Sequence, residues 1–139
     1  MIFVDTSFFY PLFSVDDEDH GRVREVFESY RGRRLRDLLV TTNHVVFETI
    51  TLIRMNVGHQ AAVTAGERLY AERMARIHRA TFDEERAAFE YLKKYKDHEY
   101  SAVDCLSFII MEKLGIAEAL AVDSDFTHRF VAHPGPRPK

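Results

Sequence analysis

Met1-Ile2-Phe3-Val4-Asp5-Thr6-Ser7 opens the chain, and its reading decides the architecture. Ile2-Phe3-Val4 is an unbroken apolar run, the pattern of a short buried strand. Asp5 ends it at once, and Thr6-Ser7 add further residues suited to a helix start. The same order of events recurs downstream. Leu38-Leu39-Val40-Thr41 gives way to Thr42-Asn43, and Ala119-Leu120-Ala121-Val122 gives way to Asp123-Ser124-Asp125. Strands that run straight into helix caps predict alternating strands and helices. That alternation means an α/β fold with an open, mostly parallel sheet covered on both faces.

The intervening segments fit this frame. A short apolar helix or turn spans 8–13 around Pro11. Val23, Val26, Phe27 and Tyr30 share one face of a helix that follows the acidic run Asp16 to Asp19. A basic connector, 29–37, carries Arg31, Arg33, Arg34 and Arg36. Helices are predicted from 43 to 57, stopped by Gly58, from 60 to 74, and from 83 to 95. A strongly apolar helix from 101 ends at Gly115. Segment 75–80 is expected as an edge-like strand and 130–132 as a last one. The prolines of 133–139 suggest a mobile tail, so the expected organisation is one domain over 1–132 followed by that tail.

Composition narrows the class. A chain of 139 residues with 46% hydrophobic residues suits one globular core, and its formal charge of −3 does not mark a general nucleic-acid binder. Cys105 is the single cysteine, so no intrachain disulfide forms, and the seven histidines show no metal-ligand spacing. No segment reads as a signal peptide or membrane span. The expectation is a soluble cytoplasmic protein.

Four acids interrupt apolar surroundings: Asp5, Glu48, Asp104 and Asp123. An ionised carboxylate buried without a partner costs several kcal/mol, roughly, so such groups are paired, protonated or metal-bound. Each has a plainer reading. Asp5 and Asp123 suit N-caps, with Asp125 an alternative to Asp123. Asp104 closes a capping box in Ser101-Ala102-Val103-Asp104. Glu48 suits the positive start of a helix, yet it breaks Val45-Val46-Phe47 before Thr49-Ile50. In open α/β sheets the ligand site lies beyond the carboxyl ends of the strands, and all four can reach that rim. Their convergence there would call for a divalent cation and point to phosphate-ester chemistry. Ser7 and Ser107 are candidates to orient the ligands, Ser107 lying three residues from Asp104. Of the histidines, His44 is expected near the rim and His98 exposed. Arg31 to Arg36 and Lys93-Lys94-Lys96 are solvated runs or phosphate contacts. Phe8, Phe9 and Tyr10 are expected to pack against the sheet rather than stack on bases.

In sequence order, these stretches resemble the PIN domain family, and within it the small toxins of VapBC-type toxin–antitoxin pairs. Ile2 to Ser7 resembles the family's first motif. Thr41-Thr42-Asn43-His44-Val45-Val46-Phe47-Glu48-Thr49 resembles its second. Tyr100 to Phe108 carries the third acid at Asp104, and Leu114 to Phe126 resembles the closing motif with Asp123. One departure is Ala121, where the family often has Thr or Ser. The resemblance implies a three-layer α/β/α sandwich. It implies an endoribonuclease dependent on Mg²⁺ or Mn²⁺, with Asp5, Glu48, Asp104 and Asp123 as the acidic cluster. It also implies a homodimer and a cognate antitoxin. Hydrolysis would leave a 5′-phosphate and a 3′-hydroxyl. Two other readings compete. One is a non-catalytic RNA- or protein-binding module on the same fold. The other is an aspartate-nucleophile phosphatase built on Asp123-Ser124-Asp125-Phe126-Thr127, with only twelve residues after it.

Overall fold

A computed structural model describes residues 1–138. Five strands form one all-parallel sheet: β1 (Ile2–Val4), β2 (Leu39–Thr42), β3 (Arg76–His78), β4 (Glu118–Ala121) and β5 (Val131–Pro134). Their spatial order is β3-β2-β1-β4-β5. Seven α-helices connect them among the described residues: α1 (Thr6–Phe13), α2 (His20–Glu28), α3 (Leu35–Leu38), α4 (Asn43–Asn56), α5 (His59–Tyr70), α6 (Phe82–Lys94) and α7 (Ala102–Leu114). A 3-10 turn, Ser124–His128, joins β4 to β5.

The order dictates the layers. From β1 through β2 to β3 the chain steps one way across the sheet, and from β3 to β4 it returns past β1. Right-handed crossovers therefore put α1, α2, α4 and α5 on one face and α6 and α7 on the other. The helix contacts agree: α1 packs on α2 and α4, α4 on α5, and α6 on α7. The strand order reverses between β1 and β4. That is the switch point at which such sheets open a crevice at their carboxyl ends.

The core fills both interlayer spaces. Phe3, Phe8, Phe9, Phe108 and Phe126 are fully buried, and Phe108 meets Phe126 edge-on with ring centroids 5.0 Å apart. Phe8 and Phe9 thus pack as expected. Truncating any one to Ala would cost about 3–5 kcal/mol.

Three sequence-based boundaries move. The helix expected over 60–74 stops at Tyr70, the end of α5. The basic connector holds a short helix, α3, before β2. The expected tail does not begin at 133: β5 runs on through Pro134, and the Gly135 N–H donates to the Ala121 carbonyl at 2.9 Å. Arg22 also reaches the Gly135 carbonyl at 2.9 Å, and Arg137 pairs with Asp19 and Glu18. Proline was the misleading signal. It lacks only a donor, and on an edge strand that donor is dispensable. Lys139, the end of the expected tail, lies outside the described residues.

Glu84 is the buried acid that the fold neutralises. Its carboxylate accepts from Thr81 N–H at 2.8 Å, completing a capping box, and from Lys113 Nζ at 2.7 Å and His78 Nε2 at 3.0 Å. Burial alone would raise its carboxyl, but Lys113, Thr81 and His78 together hold it down to about 2. Glu84→Ala should lower the unfolding free energy at pH 7 by about 1–3 kcal/mol, measured by urea melts. A carboxyl held low stabilises only while ionised. The penalty should therefore be full above pH 4.5 and shrink as pH falls towards 2. An unchanged melt would show that this network contributes nothing.

Candidate active site at the carboxyl rim of the sheet

The acids stand where strands stop and helices start. Asp5 directly follows β1 and caps α1, its Oδ2 accepting from Ser7 N–H at 3.0 Å. Asp123 lies just beyond β4 and caps the 3-10 turn through Oδ1, accepting from Asp125 N–H at 2.9 Å. Asp104 sits in the first turn of α7. There Oδ2 accepts from Ser101 N–H at 3.1 Å, and Ser101 Oγ accepts from Asp104 N–H at 3.0 Å. The capping readings are therefore all true, and each uses one oxygen of a carboxylate that has another. Glu48 lies one turn into α4, which starts where Thr42 Oγ1 accepts from Val45 N–H.

All four acids, with Asp125, line one open cleft of about 510 Å³. The tightest group is Asp104, Asp123 and Asp125, each offering a carboxylate oxygen within 4.8 Å of the others. Asp125 thus stands beside Asp123, and both reach the group. Asp5 is 3% exposed, and its Oδ1 is buried with no hydrogen-bond partner among the described residues. The neighbouring Thr6 Oγ1 is in the same condition. Burial pushes the Asp5 carboxyl up to about 7 against the pull of Ser7 N–H, and the charges of Asp104 and Glu48 add to the rise. Burial likewise lifts Asp104 to about 6, opposed by Ser101 and helped by Asp123 and Asp125. Burial and Asp123 raise Asp125 as well.

The supporting residues divide. Ser7 Oγ accepts from Val122 N–H at 3.0 Å and Asp123 N–H at 3.2 Å, so one serine ties the end of β4 to the first turn of α1. Ser107 does not orient Asp104. It is fully buried, and its hydroxyl donates to the Val103 carbonyl one turn back, the usual resort of a serine inside an apolar helix. His44 is not at the acidic cleft either: its Nε2 meets Glu85 at 2.7 Å, in a separate groove with Phe47, Tyr70 and Arg79. The cluster Arg31 to Arg36 precedes β2, and Arg76 at the start of β3 donates to the Arg36 carbonyl. These arginines therefore lie at the amino-terminal rim, opposite the acids. Among the described residues no Lys, Arg or His lines the cleft. Sequence reasoning treated Asp17 and Asp19 as a solvated helix start and passed over Glu99, yet all three line it. Their nearness to α1 and α7 in sequence was the available signal.

A carboxyl whose native pKa is raised stabilises the fold only while protonated. Between 3.8 and about 7 native Asp5 holds a proton that the unfolded chain has lost, and native Asp104 does so between 3.8 and about 6. Stability without metal should therefore fall as pH rises through that window, by roughly 4 kcal/mol at most from Asp5. In EDTA the protein should melt higher at pH 5 than at pH 8, and Asp5→Asn should raise the melting temperature at pH 8. A flat profile in EDTA would contradict this electrostatic account.

Known proteins resemble this chain in sequence and fold. A family model described as "PIN domain" matches residues 2–129. The chain is 39% identical over 127 residues to the "23S rRNA-specific endonuclease VapC20" of Mycobacterium tuberculosis, in strains CDC 1551 and H37Rv, covering 91% of this chain and 92% of the relative. The crystal structure of the M. tuberculosis VapC20, described as a "Sarcin-Ricin loop cleaving toxin", superposes with a TM-score of 0.82 at 38% identity, covering 92% of this chain and 94% of that one. With its strand order, its acids at the switch point and these matches in agreement, the chain belongs to the PIN domain family.

Proposed function

We propose that this protein is a divalent-metal-dependent endoribonuclease, the toxin of a toxin–antitoxin pair, and that its substrate is the sarcin-ricin loop of 23S ribosomal RNA. The observation that carries the reading is the buried, unpartnered Oδ1 of Asp5 in a cleft lined by seven more carboxylates. A protein with no use for a cation would place a lysine or arginine there, as it does at Glu84. The substrate follows from the activity named for the relative.

The donors fit a hard cation. Carboxylate oxygens suit Mg²⁺ or Mn²⁺ rather than a thiol-seeking metal, and the one cysteine, Cys105, is buried. Asp104, Asp123 and Asp125 would hold it, with Asp5 and Glu48 completing the negative wall. A divalent cation there supplies Lewis-acid stabilisation of phosphate oxygens and a more acidic water. The chain's own part is positioning. Ser7 N–H fixes Asp5, Ser101 fixes Asp104, and Asp125 N–H fixes Asp123, so each acid is aimed before any ligand arrives. The products are a 5′-phosphate and a 3′-hydroxyl.

The rest of the reading concerns partners. The protein acts as a homodimer in the cytoplasm and is held silent by its antitoxin. No helix among the described residues is long and apolar enough to cross a membrane.

Intact ribosomes and purified total RNA incubated with the protein and Mg²⁺ or Mn²⁺ should yield a discrete 23S fragment, abolished by EDTA. Asp5→Asn and Asp104→Asn should cut at least 100-fold more slowly while remaining folded. Mn²⁺ should raise the wild-type melting temperature at pH 8 and do so less for Asp104→Asn. Equal cutting by wild type and both variants would remove these acids from the mechanism.

A further inference from the structure

The acidic cleft has no cation of its own, yet an RNA strand must be drawn to it and held. One corner of its rim carries the right chemistry. Glu99 and Ser101 line the cleft, and between them Tyr100 is buried. The exposed ring of His98 lies flat on Tyr100, with centroids 4.8 Å apart and planes within 5°. Tyr100 is itself wedged edge-on against Phe108 at 5.0 Å, so the base of the stack is anchored in the core. Its hydroxyl bonds His128 Nδ1 at 2.8 Å, and His128, also exposed, stands 5.0 Å from the His98 ring. His128 ends the 3-10 turn that Asp123 caps and that carries Asp125, which brings this corner to the side of the acids. Lys96 is exposed two residues before His98, and Lys94 Nζ lies 5.3 Å from the Tyr95 ring.

We propose that His98, backed by Tyr100 and flanked by His128 and Lys96, is a nucleotide subsite, where an unpaired base next to the scissile phosphate stacks and its phosphate meets His128 and Lys96. This inference rests on the ribonuclease reading for its substrate class. Its reasoning is local. A planar ring already held parallel to a core-anchored tyrosine loses little freedom when a base is added to its outer face. Base–aromatic stacking contributes about 1–3 kcal/mol per base and tolerates any base. None of His98, His128 and Lys96 lines the cleft, so Lys96 attracts phosphate and the imidazoles hydrogen-bond to it without neutralising the carboxylates that hold the metal. His98 itself is exposed and caps no helix, and its N–H closes only the turn after α6 at the Tyr95 carbonyl.

The test uses the full chain and a fluorescent single-stranded RNA spanning the site that the wild type cuts. Two quantities are read: KM and kcat for cleavage with Mn²⁺, and the Kd of the same RNA in EDTA by anisotropy. His98→Ala should raise both KM and Kd about 5- to 150-fold, the equivalent of ~1–3 kcal/mol, with kcat within about twofold of wild type. His98→Phe should restore most of the loss. His128→Gln and Lys96→Ala should weaken binding and lower its salt dependence. Wild-type KM and Kd in His98→Ala would overturn the subsite and leave the nuclease standing. A fall in kcat alone would also overturn it, because that is not a binding defect. His98-dependent binding of RNA by a protein that cuts nothing under any metal would overturn the nuclease and keep the subsite. Loss of antitoxin binding in His98→Ala, with RNA binding unchanged, would reassign the corner to a protein partner.

Discussion

Mutual repulsion among carboxylates at one sheet edge is the constraint around which this structure is arranged. Asp5, Glu48, Asp104, Asp123 and Asp125 share one cleft without a lysine, arginine or histidine among its lining residues. No cationic side chain enters that lining among the described residues, so the rest of the fold has to hold the charge in place. It does so with helix caps. Asp5, Asp104 and Asp123 each commit one oxygen to a backbone N–H at a helix or turn start. These bonds favour the ionised form locally, and burial opposes them; at Asp5 and Asp104 burial is the larger effect. The site is therefore stable as a scaffold and unsatisfied as an electrostatic system, a condition that a divalent cation relieves.

Two buried acids show that this is a local choice and not a general weakness. Glu84 and Asp5 are almost equally hidden, at 4% and 3% exposed. Glu84 has a lysine, a histidine and a capping N–H, and its carboxyl sits at about 2. Asp5 has a serine N–H on one oxygen and nothing on the other, and its carboxyl sits at about 7. The same chain neutralises one buried carboxylate fully and leaves another open. The open one lies at the strand-order reversal between β1 and β4, the place where this topology provides a crevice.

Charge separation gives the molecule its polarity. The arginines before β2 and β3 gather at the amino-terminal rim, where the Arg36 carbonyl and the Arg76 guanidinium meet. The acids hold the carboxyl-terminal rim. Near the acids, Arg22 and Arg137 pair with the cleft-lining Asp19, and the corner of His98, His128 and Lys96 stands exposed. It is built on aromatic packing that continues through Tyr100 and Phe108 into the core. That corner is in this way tied to the same aromatic cluster that packs α7, and hence Asp104, against the sheet.

By itself the sequence determined the layered α/β class, the strand-to-cap grammar, and the identity of the acids with their caps. These are local matters: apolar runs, capping residues, and glycines such as Gly115, which ends α7 at φ +68°. It placed Asp5, Asp104 and Asp123 at helix starts because the capping chemistry is written in adjacent residues. It could not decide between Asp123 and Asp125, since two side chains two residues apart differ only in how the turn after β4 aims them. It could not see that Ser107 turns back to Val103, that His44 pairs with Glu85, or that Arg31 to Arg36 face away from the acids. Nor could it see that residues past 132 continue the sheet. The Ser107 bond stays within one turn of α7; the others depend on which strand lies beside which, and on what a crossover brings alongside. Tertiary structure alone decided that five carboxylates converge with no cation among them, because only packing determines which charges become neighbours.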